Sequence, residues 1–259
     1  MKLDIVFRSC NRTDVHPERG PRFIDVDKTT LVKKCFKSLI NSIILVEDVD
    51  IRLWIVDDNS SEELITYFEK TCITNKVVYN IERLSLQGFN YSALRQFEVC
   101  RDKGREWVYS VEDDYLHFPD AISSLLSAGV HFSQSTGRHI AIRPDDDVFT
   151  YSSNTPHAQK PCRVFLGNNR HWRTLDTCHN TLFTSVEVFK NYWEIFAALA
   201  KYFKITNINE DGTINTLWGD GATATGPVPL FSPIETLAIH ISQNNEPLFV
   251  KWKELWESL

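Results

Sequence analysis

The chain has 259 residues, 42% of them hydrophobic, and a formal charge of −6. That is enough apolar content for the core of one larger domain, and the negative charge argues against a nucleic-acid-binding surface while leaving room for a local basic cleft around a phosphorylated ligand. No apolar run approaches the roughly 18 residues that span a bilayer, and the opening MKLDIVFRSCNR carries an acid where a signal peptide is apolar, so a cytoplasmic protein without a membrane span is expected.

Lys2 to Phe7 reads as a first strand that feeds the polar turn Arg8-Ser-Cys-Asn-Arg12. From Thr29, residues Leu31, Val32, Cys35, Phe36, Leu39, Ile40, Ile43 and Ile44 recur at helical spacing. Ile51 to Val56 is a second strand running into Asp57-Asp58-Asn59-Ser60-Ser61, with Glu62-Glu63 opening a helix. Lys76 to Ile81 predicts a third strand, Gln87 to Asn90 a turn, and Tyr91 to Lys103 a helix. Glu106 to Tyr115 is an apolar run that delivers Glu112, Asp113 and Asp114 to its carboxyl end. Four alternations of strand and helix in about 115 residues call for a mostly parallel sheet with right-handed crossovers, and ligands of such sheets collect beyond the carboxyl ends of the strands.

Side chains alternate along a strand, so Glu112 and Asp114 are expected on one face and Asp113 on the other. Carboxylate oxygens suit Mg²⁺ or Mn²⁺ and leave positions for phosphate oxygens. The bland alternative is a solvated acidic turn before the helix begun at Pro119. No GxGxxG follows the first strand, which disfavours a dehydrogenase.

Pro119 to Gln134 predicts a helix and His139 to Arg143 a short strand ending at Pro144-Asp-Asp-Asp147, a second acidic run that competes for a metal but reads better as a solvated turn. Residues 152–173 form a long loop or a set of short strands. Ser185 to Phe203 predicts one helix whose aromatic stripe belongs to the core. Asn209-Glu210-Asp211-Gly212 precedes a short helical turn through Trp218, Val228 to Phe231 and Glu235 to Ile241 are late strands, and Leu248 to Leu259 is a closing amphipathic helix expected to dock on the body and a candidate homodimer contact. The six cysteines show no CxxC spacing and are expected as free thiols. Sequons at Asn11, Asn59 and Asn90 fall in turns assigned to ligand binding, which favours a compartment without N-glycosylation. No repeat or linker divides the chain.

The polar turn after the first strand, Asp57-Asp58 after the second, a Gly/Asn turn with a Ser-Ala-Leu-Arg helix and Glu-Asp-Asp after the fourth resemble, in order and spacing, the nucleotide-diphospho-sugar transferases of the GT-A fold, especially the inverting family-two glycosyltransferases. Val6-Phe-Arg-Ser-Cys-Asn-Arg12 resembles that family's Ile-Pro-Thr-Tyr-Asn-Arg opening, Ile55-Val-Asp-Asp-Asn-Ser-Ser61 its Val-Asp-Asp-Gly-Ser segment, and Ser92-Ala-Leu-Arg95 its Ala-Arg-Asn helix. Val111-Glu-Asp-Asp114 then stands at the DxD position. The match covers residues 3–120 well and the remainder only by order of elements.

The resemblance implies a Rossmann-like α/β fold over residues 1–259, with a nucleotide-sugar-binding half to residue 120 and an acceptor-binding half, ending in the C-terminal helix, from 121. It implies Ser9, Asn11, Asp57, Asp58, Arg95, Glu112 and Asp113 as nucleotide-binding residues, Arg95 at the diphosphate. Asp114 becomes a ligand of Mn²⁺ or Mg²⁺, with His240 completing the metal site or serving only as a strand histidine. Asp211, with Glu210 beside it, supplies the base that deprotonates an acceptor hydroxyl, or else caps the following helix. His171, Trp172 and Trp218 are candidates for an acceptor wall.

Arg8 in place of proline, Glu-Asp-Asp in place of a spaced pair, and no Gln-x-x-Arg-Trp segment are departures that favour a non-processive enzyme. The expected function is metal-dependent transfer of one sugar from a nucleotide donor, UDP-linked by preference, to a glycan or other hydroxyl acceptor. A sugar-phosphate nucleotidyltransferase, against which the glycine-free first loop speaks, and a non-catalytic glycan- or protein-binding module are the alternatives.

Overall fold

A computed structural model gives the fold and describes residues 1–12, 22–85, 88–146, 148–151 (Phe149 by its backbone alone), 160–167, 169–203, 208–219, 226–242, 246–247 and 249–259. Strands β1 (Lys2–Ser9), β2 (Asp50–Asp57), β3 (Val78–Arg83) and β4 (Trp107–Glu112) alternate with helices α1 (Lys28–Ile43), α2 (Glu62–Thr74) and α3 (Phe89–Lys103), as the periodicity predicts. There follow β5 (Tyr115–His117), α4 (Ala121–Thr136), β6 (Ala141–Ile142), β7 (Val164–Gly167), β8 (Arg170–Leu175), β9 (Leu182–Ser185), α5 (Val186–Asn191), α6 (Trp193–Tyr202), β10 (Leu230–Pro233), β11 (Ala238–His240) and α7 (Trp252–Glu257).

Nine strands form one mostly parallel sheet in the order β3-β2-β1-β4-β9-β6-β10-β8-β7, and β5 pairs with β11 in a small second sheet. β1 lies between β2 and β4, parallel to both. The chain order therefore reverses between β1 and β4, which makes their carboxyl ends the crevice of a doubly wound sheet. β9 runs antiparallel between β4 and β6.

Period-two alternation sorts the core. Leu3, Ile5 and Phe7 of β1 and Trp107, Tyr109 and Val111 of β4 turn to one face, where they meet α1, α2 and α4. Val6 and Val108 turn to the other, under α3, α5 and α6. Each such side chain removed from water contributes about 1.5–3 kcal/mol. α1 starts where Asp27 accepts the Thr30 N–H at 2.9 Å, and α2 where Ser61 caps Leu64 with Glu62 and Glu63 in the first turn.

Two elements differ from the sequence reading. The predicted helix from Ser185 to Phe203 is two helices, broken at Tyr192 with φ −117° and ψ 26°. The stretch before it holds the four-residue strand β9. Of the two readings of residues 152–173, a long loop or a set of short strands, the second holds where the chain is described: β7 and β8 form a hairpin on the sheet edge.

α7 turns its apolar side inward. Trp252 is buried with Leu31, Cys35, Leu116, Ile239 and Ile241, edge-on to Phe23 at 5.1 Å, and Lys34 Nζ donates to the Trp256 carbonyl at 2.6 Å. The helix is thus docked on the chain's own body. All six cysteines are free thiols. Among the described residues no helix is long and apolar enough to cross a membrane.

Candidate functional site

The crevice between β1 and β4 is built by strand parity. Arg8 and Glu112 are register partners and both turn to the α3 face, where they form an ion pair. Arg8 also donates to Gln96 Oε1 at 3.2 Å and lies 4.7 Å over the Phe89 ring. Asp113 turns to the α1 face. Its Oδ2 accepts the Cys10 N–H at 2.7 Å and its Oδ1 pairs with Lys28 Nζ at the start of α1. Glu112 and Asp113 are therefore bound to cations of the protein itself, and the triplet is not a solvated turn.

Asp114 follows the end of β4, where alternation stops, and its place is set by the small sheet. β11 pairs with β5 so that His240 faces Tyr115, the two rings stack at 4.7 Å, and the Ile241 N–H donates to the Asp114 carbonyl at 2.8 Å. This register brings His240 Nε2 to 3.7 Å from Asp114 Oδ1.

The β2 tip lies alongside. Asp57 is buried, accepts the Ser60 N–H at 3.0 Å and lies 3.5 Å from Arg83; burial pushes its carboxyl up, against the Ser60 bonds. Asp58 accepts the Gly88 N–H at 3.0 Å and meets Arg12 at 3.4 Å. Gly88 has φ 113°, which a side chain rarely adopts, and this places the start of α3 against the Asp58 carboxylate. Asn59 has φ 55° where the resembled segment carries glycine, since asparagine tolerates the left-handed region. Asn11 ties the β1 tip to the β2 tip, accepting the Ser61 N–H at 3.0 Å and donating to Thr29 and Ser61 hydroxyls. Ser9 is buried beside Asp57, its register partner. The Nδ2 atoms of Asn11, Asn59 and Asn90, where a glycan would attach, all donate to internal acceptors.

Beyond His240 the contacts continue through a residue that sequence reasoning missed. His179 lies 6.2 Å from His240 between ring centroids, and its Nδ1 lies 3.8 Å from Glu210 Oε1. Desolvation works against the charged imidazole, but Glu210 outweighs it and raises the His179 pKa, while Glu210 is lowered against its own desolvation. Asp211 is exposed, and its Oδ1 accepts from Asn215 Nδ2 at 2.9 Å. It does not cap the turn: Asn209 Oδ1 takes the Gly212 N–H at 3.1 Å, and the 3-10 turn begins at Ile214.

Several expected residues lie elsewhere. Arg95 is not brought to the crevice; its guanidinium forks onto Glu82 at 2.7 and 3.0 Å and reaches Glu98 at 3.0 Å, whereas Arg8, Arg12 and Arg83 stand at the tips, on Glu112, Asp58 and Asp57. Trp172 and Trp218 are 1% and 0% exposed. Trp172 packs on Phe132 at 5.8 Å and Trp218 donates to Asn215 Oδ1 at 3.0 Å, so neither offers a face to an acceptor. Both are large aromatic rings, and burial is where large apolar rings go. His171 is exposed on β8, near the far edge of the sheet.

Asp145 and Asp146 of the second acidic run are not solvated either. Asp145 forms a buried two-pronged pair with Arg143 at 3.0 and 2.6 Å, which holds its carboxyl down despite burial. Asp146 pairs with Arg173 and accepts the Tyr151 hydroxyl at 2.8 Å; burial nonetheless pushes it up to about 6. Asp147 lies outside the described residues.

This architecture is the GT-A, Rossmann-like fold of the nucleotide-sugar transferases. A mannosyltransferase, PcManGT from Pyrobaculum calidifontis in complex with GDP-Man and Mn²⁺, superposes with a TM-score of 0.50 at 7% identity, over 93% of this chain and 57% of that one. TarS 1–349 of S. aureus in complex with UDP gives 0.47 at 12% over 92% and 59%, and an apo UDP-glucose pyrophosphorylase 0.48 at 11% over 93% of each chain. The chain spans little more than half the length of the two transferases. No protein-family model matches it, and no curated protein matches it significantly.

Proposed function

We propose that the protein is a glycosyltransferase that moves one sugar from a nucleotide-diphosphate donor, UDP-linked by preference, to an acceptor hydroxyl, with Mn²⁺ or Mg²⁺ as cofactor and an inverting, non-processive course. The observation that carries the reading is the meeting of Asp114 and His240, 3.7 Å apart, at the switch point of a GT-A sheet. A carboxylate oxygen and an imidazole nitrogen suit Mn²⁺, and a site with few protein ligands leaves coordination positions for phosphate oxygens and water. Among the described residues no group of three or more His, Cys, Asp or Glu could hold a metal; in this reading Asp114 and His240 would hold the cation and substrate oxygens would complete its shell. When bound, that cation supplies Lewis-acid stabilisation of the departing diphosphate.

The chain's own residues divide the remaining work. Ser9, Asn11, Asp57 and Asp58 line the nucleoside side, where a carboxylate suits the imide N–H of uracil. Asp113 and Glu112 act as struts that hold the β4 tip. Asp211, fixed by Asn215, or Glu210 behind it takes the acceptor proton. His171 is the one acceptor-wall candidate that the exposure of its side chain supports. Incubation with a panel of nucleotide sugars and Mn²⁺, watching for transfer and for slow release of free nucleotide, tests the reading. Turnover that needs the metal and disappears in Asp114→Asn is expected. Absence of turnover and of nucleotide binding across the panel would favour a non-catalytic binding module.

A further inference from the structure

A buried polar atom without a partner destabilises the free protein, and a ligand that supplies the partner gains by it. At the nucleoside end of the crevice Ser9 Oγ and Asp57 Oδ1 are such atoms, and the functional reading above gives them to the nucleoside. Among the described residues the Tyr115 hydroxyl and Asn180 Oδ1 are two more, and nothing so far has used them. Tyr115 is 1% and Asn180 5% exposed.

Both belong to the other side of the β4 tip. β9 runs between β4 and β6, with Leu182 opposite Ser110 and Phe183 opposite Ile142. Asn180, just before β9, therefore enters between the β4 tip and the paired Arg143 and Asp145 that follow β6. Thr181 fixes it there, its Oγ1 accepting the Glu112 N–H at 3.1 Å. The Tyr115 ring is held by its stack on His240 at 4.7 Å, so its hydroxyl is not free to swing towards a partner. Burial pushes the phenol well above its usual pKa, and the carboxylates of Asp145 and Glu112 push the same way. The hydroxyl thus lies towards the same two tips and stays protonated.

A protonated phenol and an amide present a donor and an acceptor. A sugar hydroxyl, which both donates and accepts, answers the pair with the amide in either orientation. The cations at these tips are already engaged, Arg8 with Glu112 and Arg143 with Asp145, so a carboxylate on the sugar finds no counter-charge.

We propose that Tyr115 and Asn180 are specificity-determining residues that read hydroxyls of the donor's sugar, and that the protein takes a neutral hexosyl group rather than a uronosyl one. A site built to hydrogen-bond a substrate hydroxyl rejects an analogue that lacks it, because its own buried groups are then left unpaired. The inference rests on the functional reading above and names the part of the donor that is selected.

Calorimetry with Mn²⁺ present throughout compares UDP and GDP with UDP-glucose, UDP-galactose, UDP-N-acetylglucosamine, GDP-mannose and UDP-glucuronic acid. In the parent the best neutral sugar nucleotide should bind about 10-fold or more tighter than UDP-glucuronic acid, whose carboxylate would be desolvated without a counter-charge. Tyr115→Phe and Asn180→Ala should each weaken that neutral sugar nucleotide about 3- to 10-fold and leave its nucleoside diphosphate within about 2-fold of the parent. A merely structural role would weaken both ligands alike. A further measurement needs no ligand: Tyr115→Phe deletes a buried hydroxyl that nothing satisfies, so its thermal midpoint should equal or exceed the parent's. Sugar-nucleotide affinity unchanged in both variants, equal weakening of sugar nucleotide and diphosphate, UDP-glucuronic acid bound as tightly as the neutral sugars, or a lower midpoint in Tyr115→Phe each overturns the inference while nucleotide binding keeps the functional reading. No binding of any nucleotide overturns both.

Discussion

At the scale of single residues the site is an arrangement of charges, each with a partner that fixes its direction. Asp114 and His240 are the pair on which metal-dependent binding is proposed to turn, and they predict separable effects. Asp114→Asn should reduce transfer by about 100-fold or more, in the range seen when one electrostatic stabiliser is lost, with a circular-dichroism spectrum like that of the parent. His240→Ala should weaken Mn²⁺ binding in the presence of UDP by about 10- to 100-fold, as the loss of groups around metal sites does. It should also cost stability, because the ring stacks on Tyr115. Transfer that survives both substitutions would remove the metal from the proposed reaction.

Elements carry a different kind of prediction, since a buried residue can tie the small sheet to the large one. His117 of β5 is buried against the Tyr109 hydroxyl of β4 at 2.8 Å, and burial pushes its pKa down to about 3. The unfolded chain therefore binds a proton at this position that the folded chain refuses between about pH 6.5 and that value. Its contribution to stability is complete above about pH 6.5 and falls as the pH drops through this window, by about 1.4 kcal/mol per pH unit. Denaturant unfolding followed against pH should show that slope, and His117→Gln should flatten it. Equal slopes in the two proteins would mean that the imidazole titrates normally.

The strands and helices of the first half were legible because β1 to α3 are long and periodic, and the acidic tips were legible because β4 delivers them in consecutive positions. The partners of those acids were not. Nothing in the spacing links Lys28 to Asp113, which lies 85 residues further on, or His179 to Glu210. Arg8 was visible only as a departure from the resembled pattern. β9 escaped because four residues merge with the helix that follows, and the two tryptophans misled because an aromatic ring reads the same in a core as on a sugar.

For the molecule as a whole, the second half closes the site of the first. β11 brings His240 to Asp114, and α7 packs behind β5 and β11 through Trp252. Trp252→Ala should lower stability by about 3 kcal/mol, as loss of a large buried ring does, and should weaken Mn²⁺ binding in the presence of UDP although the residue lies outside the crevice. A thermal shift without any change in metal affinity would show that α7 stabilises the fold alone.

The central strand β4 has β1 on one side and β9 on the other, and β9 is supplied by residues 182–185. A fragment that stops at residue 120 would carry the acidic tips of β2 and β4, yet one flank of β4 would stand open, a bare ribbon of amides and carbonyls ready to recruit its own kind. Such a fragment should precipitate on expression. During synthesis, that flank waits some seventy residues for its neighbour, a vulnerable interval in which a chaperone has something to hold.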